Sequence, residues 1–314
     1  SYTYEPSIFL KWKIRRVRNM DISFAYNTSV PNFISTLGYR DTTDPLSVST
    51  GNPLLHKSHS HTTTYNYHRM WLRKQIVLGL NVSYNKDINP IATLYRYNST
   101  TGAYESKPMN VKGGDMWKFG FNYAQGIGVY FRLLNKFKVL TSKSYGFLTI
   151  VDNNDPNAVP DLNLQKRLGI DENFDLSYEA EKVQLTLFNN LQWNRYRYDD
   201  DTYNSSPLYN SLGISVRLKL SPLEMYIRLS DDFRKGYATS EMNGHKLMSM
   251  ASISYGFCKN KCRLSLFVDD IFNKDIWYDN NYSAFQRTET TTNYMHHYAN
   301  LTFSYRFDAK AKKK

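Results

Sequence analysis

No apolar run of about 18 residues occurs in this 314-residue chain, so a membrane-crossing helix is not indicated. That absence does not exclude a membrane. A barrel strand needs only about 10 residues with every second one apolar, which keeps its average hydropathy low, and the mean hydropathy here is -0.57. Cysteine is scarce: there are only Cys258 and Cys262, with Lys259, Asn260 and Lys261 between them. Two cysteines cannot scaffold a chain of this length. They could close one small bridge across a turn, as an oxidising compartment permits, or stay free thiols. No zinc-finger spacing, glycine-rich phosphate loop or basic helix accompanies the net charge of +12 and the pI near 9.4. The charge is also not gathered in one segment, so a nucleic-acid partner is not expected. Neither G-x-S-x-G nor H-E-x-x-H is present, and no enzyme is expected. The chain starts at Ser1, with neither an initiator Met nor a basic-apolar leader, and we expect it to be processed or truncated.

What is abundant is aromatic. The chain carries 26 Tyr and 17 Phe, and flat rings fit the pleated surface of a strand. Period-2 alternation runs through most of the sequence. In 299–307 Ala299, Leu301, Phe303, Tyr305 and Phe307 oppose Asn300, Thr302, Ser304 and Arg306. In 211–220 Leu212, Ile214, Val216, Leu218 and Leu220 oppose Ser211, Gly213, Ser215, Arg217 and Lys219. The pattern recurs around 8–14, 20–28, 76–84, 117–124, 174–180, 183–193, 223–229, 247–257 and 264–268, and the spacing requires two more strands near 57–70 and 138–151. About thirteen strands result, many near the ~10-residue membrane length.

The connections alternate short and long. Short ones fall near 15–18, 71–74, 132–136, 180–182, 220–222 and 258–262, and long ones near 30–56, 85–114, 152–163, 199–207, 231–245 and 270–292. A transmembrane barrel sorts its loops this way, with short periplasmic turns and long extracellular loops, whereas a β-sandwich has no cause to. Charge follows the same division. Arg15, Arg16, Arg18, Arg73, Lys74, Lys136, Lys259 and Lys261 fall at the short-turn end, and Asp152, Asp155, Asp199, Asp200, Asp201, Asp231 and Asp232 at the other. Trp12 and Trp71 fall at the lower strand ends and Trp117 at an upper one, as an aromatic girdle would.

The segment 30–56, with Pro31, Leu37, Gly51, Asn52, Pro53 and Leu55, resembles a loop motif of TonB-dependent receptors. The segment 268–276, with Asp270, Phe272 and Asn273 at its centre, resembles their penultimate strand, and 299–307, ending on Phe307, resembles their closing strand. The wording is closest to the outer-membrane β-barrel family of Bacteroidetes-type bacteria. The residues also have a structural reading, since Gly51-Asn52-Pro53 is turn chemistry. The resemblance implies an all-β, antiparallel transmembrane barrel, of which about thirteen strands are present out of roughly 22. Residues 1–307 would be the C-terminal part of that barrel and 308–314 a basic periplasmic tail. The plug domain, which contacts TonB, would lie upstream of this chain. The function implied is energised outer-membrane uptake of a siderophore, vitamin, glycan or peptide, with membrane lipid, the TonB system and the nutrient as partners. A passive porin or a structural barrel is the alternative.

Tyr196, Tyr198, Tyr203 and Tyr209 surround Asp199-Asp200-Asp201 and resemble an aromatic lining for sugar rings or other flat ligands; an interfacial girdle is the other reading. The three aspartates, like Asp152-Asn153-Asn154-Asp155, offer hard oxygens to Ca²⁺, but neither set matches an EF-hand loop. His56, His59 and His61 form a small cluster that a metal or haem could contact. No carboxylate or thiolate completes the set, and no cofactor or metal is expected.

Overall fold

The computed structural model describes residues 3–147, 150–151, 161–238, 240–259, 261–272, 277–282, 287–292 and 297–307. Thirteen strands form one sheet: β1 (Ser7–Arg15), β2 (Arg18–Ser29), β3 (Ser58–Trp71), β4 (Ile76–Ile88), β5 (Asp115–Ile127), β6 (Phe131–Phe147), β7 (Leu162–Glu179), β8 (Val183–Arg197), β9 (Leu208–Leu220), β10 (Leu223–Lys235), β11 (Gly244–Phe257), β12 (Cys262–Asp269) and β13 (Tyr298–Tyr305). Spatial order is chain order, and every neighbouring pair is antiparallel. The expected alternation of short and long connections is present. One turn differs from the sequence reading. The chain reverses at 128–130, where Gly128 has φ +64, and not at 132–136. Lys136 lies inside β6, in register with Asn122 and Asn173. Its charge marks a strand with one wet face, not a turn.

The two faces of this sheet differ in kind. On β9 Ile214, Val216, Leu218 and Leu220 lie in register with Leu229, Ile227, Met225 and Leu223 of β10. Across the sheet Leu80, Phe119, Phe137, Leu168, Leu187, Leu212, Ile227, Ile253, Leu264 and Leu301 share this face, and all are exposed. Among the described residues no large side chain is less than 2 % exposed. A water-soluble chain of this length would hide such residues in a core; here they form the outermost surface. A band from Leu212 to Leu220 runs about 26 Å along the strand at ~3.3 Å per residue, which a tilt of about 40° projects to about 20 Å, most of the ~25 Å apolar height of a membrane barrel. The chain therefore forms the wall of an antiparallel transmembrane β-barrel.

The opposite face is polar and hydrogen-bonded strand to strand. Asn66 donates to Asp21 at 2.8 Å and Asn81 to Asn66 at 2.6 Å, joining β2, β3 and β4. Thr62 donates to Asn85 at 2.7 Å, and the Ser177 and Thr186 hydroxyls lie 3.1 Å apart. The edge strands β1 and β13 are exposed at every residue, and among the described residues they do not pair with each other.

The long connections contain strands that the alternation pattern did not mark. A second sheet assembles at the long-loop end, in the order Ile150–Val151, Ile91–Asn98, Ala103–Asn110, Ser47–Thr50, Arg40–Asp41. It draws on three different loops and includes two parallel pairings. Leu94 and Val111 pack with Phe147, from the end of β6, in a small apolar core, with Ala92, Met109 and Tyr145 against it. The sole α-helical turn among the described residues, Phe33–Thr36, is capped by Asn32, whose side chain accepts from the Ile34 N–H at 3.1 Å.

Candidate functional site

The polar face of β7–β10 carries a built surface. Phe188 of β8 lies over Gly213 of β9, its register partner, and is only 4 % exposed. A Cβ at Gly213 would come within 2.3 Å of the Phe188 ring, so glycine makes the seat for that ring. The Arg228 guanidinium covers Phe188 at 3.9 Å. Three further stacks lie on the same face: Arg167 with Tyr196 at 5.5 Å, Arg234 with Tyr209 at 5.4 Å and Arg217 with Tyr226 at 5.3 Å. Arg167 also donates twice to the Asn194 Oδ1, at 3.0 and 2.8 Å. Buried Asp232 accepts from Ser211 at 2.6 Å and from the Tyr209 hydroxyl at 2.9 Å. Burying a carboxylate is costly unless donors satisfy it, and these two do so. The wall presents aromatic faces edged by guanidinium groups. Rings stack on the first and anionic groups pair with the second.

Tyr196 and Tyr198 extend this face upward. Gln165 donates to the Tyr198 hydroxyl at 2.7 Å, and the Tyr203 ring meets Tyr198 edge-on with centroids 6.3 Å apart. Tyr209 is lower and engaged with Asp232, and Tyr203 stands in the turn beyond β8, so the four tyrosines do not form one cluster. The three aspartates are used locally. Asp199 accepts from the Leu164 N–H at 3.0 Å, Asp200 caps the single turn Asp201–Tyr203, and Asp201 accepts from Asn204 at 2.6 Å. The hydroxyl and N–H of Thr202 hold the Asp200 carboxyl below its ordinary pKa. Asp152 to Asp155 lie outside the described residues.

The loop-motif residues tie the 30–56 loop to the second sheet. A Cβ at Gly51 would come within 1.8 Å of the Leu37 carbonyl oxygen, and the Gly51 N–H donates to Tyr39 at 3.0 Å. Asn52 is buried. Its amide donates to the Pro108 carbonyl at 2.9 Å and its Oδ1 accepts from the Leu54 N–H at 3.1 Å, while its carbonyl accepts from the Leu55 N–H at 3.2 Å. Pro31 precedes the helical turn that Leu37 ends, and Pro53 sits exposed between Asn52 and Leu54. Asp270 is buried after β12 with φ +45, and its carbonyl lies 2.9 Å from the His297 Nδ1. Phe272 is exposed, and Phe307 packs edge-on against Tyr305 at 4.5 Å. Asn273 and the tail 308–314 lie outside the described residues.

The histidines serve packing. His59 stacks on Tyr26 at 5.5 Å and its Nδ1 lies 3.1 Å from the Thr28 hydroxyl. His61 stacks on Phe24, while exposed His56 is held through its backbone by Asn110. Among the described residues no three His, Cys, Asp or Glu side chains gather as metal ligands. Cys258 and Cys262 are free thiols. Asn110 and the stacked arginines escaped sequence reasoning, since their partners sit one strand away, or for Phe188 and Arg228 two strands, and dozens of residues away in some cases.

A family model described as "Outer membrane protein beta-barrel family" matches residues 3–177, more than half of the chain. No curated protein matches it.

Proposed function

Because the chain belongs to the outer membrane protein beta-barrel family, we propose that it is the C-terminal wall of an outer-membrane receptor for TonB-dependent nutrient uptake. The observation that carries this is the stacked wall of Phe188, Arg228, Tyr196, Arg167, Tyr209 and Arg234 on the lumenal face. An ordered sheet built from three long loops stands at the same end. Loops on a rigid scaffold are where binding residues accumulate, and on this reading that end faces the cell exterior. Among the described residues the edges of β1 and β13 have no strand beside them, which supports a barrel of more than thirteen strands, because open backbone in hydrocarbon costs several kcal/mol per group. A barrel of roughly 22 strands is wide enough to need a plug. The substrate class that fits the wall bears rings and negative charge, and the work done is binding and passage without bond-making.

The polar, charged lumenal face also suits a passive pore. Potassium chloride conductance of the full-length protein in planar bilayers separates the two. The receptor reading expects no steady conductance until a plug is loosened by urea. A steady open conductance in untreated protein refutes it in favour of the pore.

A further inference from the structure

Polar residues interrupt the apolar face in places: Asp231 of β10 stands beside Leu212, paired with His245 at 2.8 Å, Ser249 of β11 stands beside Leu229, and one run crosses four strands. On β6–β9 Asn135, Glu172, Asn189 and Asn210 all lie on it, although they span 76 residues of sequence. Asn135 and Asn189 flank Phe174 in one row of the register, and the next row reads Phe137, Glu172, Leu191, Asn210. The four polar residues therefore make a zigzag across four adjacent strands. On β7 Leu168 and Ile170 stand on one side of Glu172 and Phe174 and Leu176 on the other, so the carboxylate sits well inside the apolar band. Asn135 donates to one Glu172 oxygen at 2.9 Å. Among the described residues the side-chain Oδ1 of Asn210 is buried without a partner.

Hydrocarbon offers these groups nothing. An unmet polar group costs several kcal/mol there, and ionisable residues facing lipid are rare for that reason. Lipid headgroups lie beyond the apolar residues on either side. What would satisfy the zigzag is another protein surface with donors and acceptors at the same depth, and the zigzag is such a surface. A two-fold axis along the membrane normal, passing between β7 and β8, sets Glu172 of one copy against Asn189 of a second, and the converse. Exposed Leu185, Leu187 and Leu212 flank it with apolar area. We propose that this face is the lateral contact through which two copies of the protein pair in the plane of the membrane. The inference rests on this face meeting lipid and is independent of transport.

The test uses the full-length protein in native outer membranes, with Cys258 and Cys262 replaced by serine. A Leu191→Cys variant, in register with Glu172, is expected to yield an oxidised homodimer of twice the monomer mass. A Leu80→Cys variant on β4 is expected to stay monomeric. Adding Glu172→Leu and Asn189→Leu to the Leu191→Cys variant is expected to reduce the cross-linked fraction at least tenfold while a heat-modifiable folded band persists. These leucines suit lipid, so folding should survive them. A monomeric Leu191→Cys variant, an adduct of any other mass, or cross-linking undiminished by the double substitution each overturns the proposal.

Discussion

Placing an arginine on each face of β8 tests the membrane assignment at its root. Leu187 is the third of eight residues that β8 turns to the apolar face, in register with Leu176 and Ile214, and is 45 % exposed. From Val183 it stands about 13 Å along the strand, or about 10 Å in height at ~40° tilt, near the middle of a ~25 Å band. Arginine there should cost about 2–4 kcal/mol. Thr186, its chain neighbour, faces the polar side and lies 3.1 Å from Ser177. Arginine at Thr186 loses that hydrogen bond, worth about 0.5–1.5 kcal/mol, and keeps its charge in a wet lumen. The difference expected between Leu187→Arg and Thr186→Arg is about 0.5–3.5 kcal/mol. Urea titrations of the full-length protein, refolded into phospholipid bilayers at a dilution that keeps it monomeric with Leu187 against lipid, would measure it. Equal costs, or a larger cost at Thr186, would refute the assignment of faces.

Two further outcomes are expected. Gly51→Ala puts a methyl group against the Leu37 carbonyl; the 30–56 loop should become cleavable by protease added to intact cells, while the barrel keeps its heat-resistant folded band. A tag at Gly102, in the turn between Ile91–Asn98 and Ala103–Asn110, should bind antibody on intact cells, and a tag at Asn260 only after the outer membrane is permeabilised; the reverse pattern would invert the orientation and remove the loops from substrate contact.

Sequence alone determined the two faces, the number of strands in the wall and the sorting of short from long connections. The reason is local: successive side chains of a strand point to opposite sides, so the partition is written every second residue. It misplaced the β5–β6 turn because Arg132 and Lys136 look like turn residues until a polar lumenal face is there to receive them. Only the tertiary structure decided what lies across strands. The loop sheet joins Ser47–Thr50 to Ala103–Asn110 in parallel, a pairing that no hairpin signal announces. The seat of Phe188 on Gly213 under Arg228 needs three strands in one register. The line from Asn135 to Asn210 is four unrelated polar residues in sequence. It becomes one feature because each strand's side-chain period of two fixes which face a residue takes, while the register between strands fixes which residues stand side by side.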